Sequence, residues 1–202
     1  MIANAGIGPI GTVLTIDPVT FERTIEVNLL GVWRTVRVAL PYVIARSGYV
    51  LPIASMAAAL HLPLMAHYAA TKAGVEAFAD SLRGEVAHTG TKVGVAYFSF
   101  IDTDMVRISF EDSAAKHMRE STPGPFKRVT PLPVAGRVIV RGVERRARTV
   151  CAPRWVPAVL ALRGIMQPLL EKQNREAIEE GVRIAEAEAA SADPVAAPSA
   201  RE

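Results

Sequence analysis

The period of hydrophobic and polar positions changes several times along the chain, and each change marks a switch between helix and strand. From Pro18 to about Ile44, apolar residues recur at Phe21, Ile25, Leu29, Val32, Val36 and Leu40, the spacing of one helix face. Asp17 is a good N-cap, and Pro18 at the first helical position lacks only a donor the helix does not use. Tyr49 to Ala54 is a short apolar run, as expected of a strand buried on both faces. Pro52 removes a ladder donor there, which places it at a late or irregular part of that strand. A second helix is predicted over about Ala66 to Ala87, broken by Thr89-Gly90-Thr91, and Val93 to Phe98 is the next buried strand. Pro133 starts another helix, with Arg137, Arg141, Glu144, Arg145 and Arg148 on a solvated side and Ala135, Val138, Ile139 and Val143 on the other. Thr149 to Ala152 is a further short strand, ended by Pro153, and Met1-Ile2-Ala3 reads as the tail of a strand. After Leu170 the pattern is a charged helix.

Strands alternating with helices imply an α/β fold with a parallel sheet. The expected organisation is one domain over residues 1–188 and a disordered tail over 189–202, rich in Ala, Ser, Pro and Asp. Such sheets bind ligands at the carboxyl ends of their strands, so the residues that follow each strand carry the information. The long connection from Asp102 to Pro133, with five prolines and glycines, is of the kind that is often functional.

Composition narrows the picture. Half of the 202 residues are hydrophobic, enough for one core and too many for a disordered chain. The net charge is +3 and no basic stripe interleaves with aromatics, so nucleic acid is not an expected partner. A single cysteine, Cys151, and the lack of a signal-like segment suggest the reducing cytoplasm. The most apolar stretch, Trp155 to Leu170, is broken by Pro157, Arg163, Gln167 and Pro168, so no transmembrane segment is expected. It is apolar enough to lie against a lipid-like ligand, a membrane surface or a second subunit, and packing within a homodimer or homotetramer is the favoured reading. No metal site is expected.

Gly6-Ile7-Gly8-Pro9-Ile10-Gly11 matches the spacing of a dinucleotide fingerprint, but its context does not. Too little chain precedes it for a full strand, its last glycine does not open a helix, and Pro9 removes a donor that a pyrophosphate needs. It reads as a loop.

The residues that can carry chemistry lie elsewhere. In Tyr68-Ala69-Ala70-Thr71-Lys72 the phenol and the ammonium share a helix face. A cation about 4 Å from a phenol is worth about 4 kcal/mol at an effective dielectric near 20, enough to lower its pKa by about three units. Tyr68 could then act as a general acid or base near neutral pH. Ser55 follows the strand that ends at Ala54, where its hydroxyl could stabilise developing oxyanion charge. Asn28 is a polar residue among Ile25, Val27, Leu29 and Leu30, and a buried amide needs partners.

Taken together, Asn4-Ala5-Gly6 after a strand, Asn28 in Val27-Asn28-Leu29-Leu30-Gly31, Ser55 in Ile53-Ala54-Ser55 and Tyr68-x-x-x-Lys72 resemble the short-chain dehydrogenase/reductase family. The resemblance runs from Met1 to about Pro153. It implies a Rossmann-like parallel sheet with flanking helices and a hydride transfer between NAD or NADP and a carbonyl or secondary alcohol. By that resemblance Tyr68 is the catalytic acid or base, Lys72 lowers its pKa and binds the nicotinamide ribose, and Ser55 polarises the substrate. Asn28 holds a water in a proton relay, and Asn4, Ala5 and Gly6 pack beside the cofactor. Ile101 and Thr103 contact the nicotinamide carboxamide. The substrate is expected to be apolar, such as a steroid, a lipid-derived ketone or a long-chain alcohol.

Two departures matter. Ser99-Phe100 stands where the family usually has Pro-Gly, so Phe100 is expected to shape the nicotinamide site. The family's glycine-rich turn lies well upstream of Asn-Ala-Gly, whereas Asn4 is nearly the first residue here. The chain is therefore expected to be truncated at its start, to lack the first strands of the nucleotide-binding half, and to bind NAD(P) poorly as it stands. The alternative function is that of a catalytically inactive fold relative that binds a partner or regulates.

Overall fold

The structure is a computed structural model, and it describes residues 1–122 and 124–192. Five short parallel strands form its centre: β1 (Ile2–Ala3), β2 (Tyr49–Pro52), β3 (Lys92–Val93), β4 (Val95–Phe98) and β5 (Thr149–Ala152). β2 pairs with β1 and β3, and β4 pairs with β5. A bridge from Ile53 to Ala96 joins the two groups, so β4 continues β3 beside the end of β2 and the order is β1, β2, β3 with β4, then β5. The expected single strand from Val93 to Phe98 is split at Gly94. A side chain there would run into Ala147 O and the Tyr49 hydroxyl, each 2.2 Å from an added Cβ. Pro52 is the last residue of β2, where the missing donor costs least.

The helices are α1 (Pro18–Ile25), α2 (Gly31–Ile44), α3 (Ala66–Val86), α4 (Asp104–Ser109), α5 (Ser113–Ser121), α6 (Leu132–Glu144), α7 (Val156–Gln173) and α8 (Arg175–Ala192). Asp17 caps α1 by accepting from the Thr20 amide. Alternate strand residues face opposite ways. Val50, Val93, Val95 and Tyr97 pack with Val32 and Val36 of α2 and Val75, Ala79, Leu82 and Val86 of α3. Tyr49, Leu51, Ile53, Ala96 and Val150 face the other way, against Val138 and Ile139 of α6. Val50, Leu51 and Val75 are fully buried, each worth about 1.5–3 kcal/mol relative to exposure.

The predicted helix from Pro18 to Ile44 contains a π turn over Glu26–Leu30, closed by the Gly31 amide on Glu26 O. The apolar side of α6 is narrower than its pattern suggests, since Val143 is exposed and Gly142 takes the buried place against Val150. Residues 189–192, expected to belong to a disordered tail, are the last turn of α8, and the rest of that stretch, 193–202, lies outside the described residues. α8 packs on α5, where Gly181 leaves room for the Met118 sulfur.

Candidate active site

The loop from Asn4 to Gly11 leaves β1 and is pinned to the helices at three points. Asn28, carried inward by the π turn and fully buried, accepts from Ile7 N and donates to Ile7 O, both at 2.8 Å. His67 of α3 bonds Pro9 O through Nε2 at 3.0 Å, and Gly11 N donates to Leu64 O at 3.0 Å. Two amides of the apparent fingerprint, those of Ile7 and Gly11, are thus committed to protein, and α1 starts only at Pro18. The glycine-rich segment is a loop, as its context indicates. Burial holds the His67 pKa below its ordinary value, so the neutral ring donates from Nε2.

Two of the loop's glycines bring bare backbone against the chemistry. A Cβ on Gly6 would lie 3.4 Å from Asn28 Oδ1 and 3.5 Å from Lys72 Nζ, and one on Gly8 would lie 3.4 Å from Tyr68 Cδ2. Ser55 follows β2 and caps a short 3-10 turn, accepting from Ala57 N at 3.1 Å and donating to Phe98 O at 3.4 Å. Tyr68 and Lys72 stand one turn apart near the start of α3. Leu64, just before that helix, holds φ at 66°, a costly conformation for a bulky residue, while its side chain is buried.

The electrostatics of the pair differ from the sequence expectation. Lys72 is 4% exposed; its Nζ donates to Ile53 O at 2.9 Å and lies 5.5 Å from the Tyr68 ring centroid. Loss of water lowers the Lys72 pKa to about 8. Burial raises the Tyr68 pKa above its ordinary value, and a hydrogen bond with Ser55 pulls weakly the other way. Lys72 therefore does not lower the phenol here: loss of water pushes both groups toward their neutral forms, and Lys72, at about 8, still carries its charge at neutral pH. At neutral pH Tyr68 holds its proton.

The Asn28 side chain is committed to protein partners. Both of its N–H groups are used, one on Ile7 O and one on Thr71 Oγ1 at 3.2 Å, so the side chain docks the loop onto α3. Thr71, fully buried, donates in turn to Tyr68 O at 2.7 Å. Sequence reasoning passed over Thr71 and His67. A threonine within Tyr-x-x-x-Lys was visible, but its partner Asn28 lies far away in the chain. Asn4 and Ala5 are exposed, and the Asn4 side chain makes no hydrogen bond among the described residues. Ile101 is buried and bridges Thr130, and Thr103 caps α4 by accepting from Val106 N.

Ser55 and Tyr68 open onto a cavity of about 180 Å³. Its walls are Met56, Leu60, Leu62, Leu64 and Met65 before α3, Phe98 and Phe100 after β4, Met105, Val106 and Phe110 from the α4 region, and Met118 and Phe126. Phe100 packs edge-on against Phe110, so it shapes the cavity wall. Leu170, Ala177 and Ile178 close it from α7 and α8. A groove bounded by Gly6, Gly8, Thr20, Arg23, Met105 and Asp112 adjoins it. Among the described residues no three His, Cys, Asp or Glu side chains gather to hold a metal, and no helix is long and apolar enough to cross a membrane.

A parallel α/β sheet flanked by helices, with Ser55 just after β2 and with Tyr68 and the buried Lys72 near the start of α3, defines a Rossmann-like fold. The family model described as short chain dehydrogenase matches residues 1–114, and the chain belongs to that family. It is 40% identical over 95 residues to the mitochondrial D-beta-hydroxybutyrate dehydrogenase of Rattus norvegicus, covering 47% of this chain and 28% of that protein. It is 27% identical over 177 residues to 11-beta-hydroxysteroid dehydrogenase 1A of Arabidopsis thaliana, covering 85% of this chain and 50% of that one. A short chain dehydrogenase from Burkholderia cenocepacia, solved in complex with NADP, superposes with a TM-score of 0.69 at 23% identity over 85% of this chain and 68% of that chain. At that identity the likeness is one of fold. The chain spans between 28% and 50% of the length of these two curated relatives.

Proposed function

We propose that the chain carries the proton-handling part of an NAD(P)(H)-dependent oxidoreductase acting on a carbonyl or secondary alcohol. The observation that supports it most is the placing of Ser55 and Tyr68 at one apolar cavity, with the Lys72 ammonium buried behind Tyr68. Names of similar proteins point the same way, being dehydrogenases or NADP complexes.

The residues fit the nicotinamide-ribose end of such a cofactor. Gly6 and Gly8 leave a cradle beside Lys72 and Tyr68 that a Cβ would fill. Lys72 Nζ spends one donor on Ile53 O and keeps two for ribose hydroxyls. When bound, the nicotinamide supplies or accepts the hydride. Ser55 Oγ, turning its one O–H away from the long 3.4 Å bond to Phe98 O, donates to the substrate oxygen and holds it beside Tyr68. The Tyr68 hydroxyl, protonated at neutral pH, gives its proton to that oxygen during reduction and takes it back during oxidation. The apolar walls exclude water, which strengthens both hydrogen bonds. Asn28 positions the Gly6–Gly8 backbone and contributes to the path by which Lys72 exchanges its proton.

The cavity favours an apolar substrate of modest size. An engineered cavity of about 150 Å³ takes one benzene ring, so the space here suits a ring or short alkyl body rather than a whole steroid. The test is turnover of a ketone and alcohol panel with NADH or NADPH, in the wild type and in Tyr68→Phe. The variant is expected to lose at least about 100-fold in kcat, the scale of general acid–base catalysis. An inert wild type, or turnover unchanged by the substitution, overturns the reading.

A further inference from the structure

The cavity walls are apolar but not uniformly so, and their charges are unequal. Arg119 of α5 lines the cavity and is only partly exposed. Its guanidinium sits over the ring of Phe110, another lining residue, at 4.2 Å from the centroid. Among the described residues no carboxylate lies within salt-bridge distance of Arg119, and it donates no side-chain hydrogen bond. The other charged side chains on the lining are Lys127, which is exposed, and Glu171, which accepts from Gln167 Nε2 at 2.5 Å. The balance around the cavity is therefore positive, and of its two cations Arg119 is the one held in place by an aromatic face, with its donors open among the described residues. A planar guanidinium with free N–H groups beside an apolar cavity is a carboxylate receptor.

We propose that the substrate is an oxo- or hydroxy-acid with an apolar body, its reacting oxygen at Ser55 and Tyr68 and its carboxylate on Arg119. The anion site stands on Arg119, Phe110 and the cavity; its assignment to a substrate rests on the oxidoreductase reading. Arg119 is then a specificity-determining residue. It recruits the acid without touching the reacting atoms, and it adds nothing for a neutral ester of the same shape.

Calorimetric titration of the intact chain with benzoylpropionate and with its methyl ester tests this without any cofactor. The acid is expected to bind at least about 10-fold more tightly than the ester, the scale of one charge-assisted hydrogen bond. Arg119→Met, which keeps an apolar stem over Phe110, should remove that difference, and Arg119→Lys should restore part of it. Circular dichroism and thermal melts establish that both variants are folded. No binding of the acid, equal binding of acid and ester by the wild type, or an equal loss for both ligands in Arg119→Met overturns the proposal. The Tyr68→Phe turnover experiment judges the oxidoreductase reading separately, since the acid-to-ester affinity difference is read in the wild type and the Arg119 variants without any turnover.

Discussion

Lys72 should cost the protein stability, and removing it should make the fold firmer while abolishing its chemistry. The ammonium is 4% exposed, and its pKa falls from 10.5 to about 8 because burial disfavours the charged form. That gap corresponds to about 3 kcal/mol of penalty carried by the charged folded state near pH 7. Between about pH 8 and pH 10.5 the unfolded chain binds the proton and the folded one does not, so stability rises with pH across that window. Lys72→Met takes away the penalty and also the bond to Ile53 O, whose loss costs about 1 kcal/mol. The variant should then be about 2 kcal/mol more stable than the wild type near pH 7. For a chain of this length that is about 4–8 °C in Tm. Cys151 and Tyr49, with pKa values pushed up to about 11 and about 12, act in the opposite sense at high pH but equally in both proteins. Denaturant unfolding of both proteins at a series of pH values isolates the lysine. The difference should shrink by about 2 kcal/mol from about pH 7 to about pH 9.5. A variant less stable than the wild type near pH 7, or a difference that does not move with pH, refutes the reasoning.

The loop clasp and the split strand each give a further test. Asn28→Ala strips both partners from the Ile7 peptide and one from Thr71, and should cost about 3 kcal/mol in denaturant unfolding. A double-mutant cycle with Thr71→Val should show a coupling of about 1 kcal/mol, and a coupling of zero means that the 3.2 Å bond between them contributes nothing. Gly94→Ala places a Cβ 2.2 Å from Ala147 O and the Tyr49 hydroxyl, so the 2.7 Å bond between those two groups must break. Overpacking plus that loss should exceed about 3 kcal/mol, or about 10 °C in Tm. A melt within about 2 °C of the wild type shows that the backbone gives way at Gly94 instead.

What could be read from the chain, and what could not, divides along the range of the interactions involved. Helix and strand assignments held where one physical cause acts locally: apolar runs for strands buried on both faces, a 3.6-residue period for α2 and α3, and the Asp17–Pro18 start of α1. The failures have distant causes. Gly94 splits a strand because Tyr49 and Ala147 meet over it, and no window of neighbouring residues contains that contact. The π turn at Asn28 leaves the apolar period almost unchanged, yet it is what carries the amide inward to Ile7 and Thr71. The pKa of Tyr68 is the sharpest case. Spacing along α3 brings the phenol and the ammonium onto one face, and Coulomb's law with a solvated cation then lowers the phenol. Desolvation depends on what packs over the pair, and those groups come from the turns around Ser55, the Gly6–Gly8 loop and the end of β2. They reverse the sign for Tyr68 and bring Lys72 down to about 8. The motif determines which groups meet, and the packing determines which of them keeps its proton. The folded chain therefore holds Tyr68 protonated at neutral pH, and a positive charge that enters with a ligand would lower its pKa and ease both the release of that proton and its action as a base.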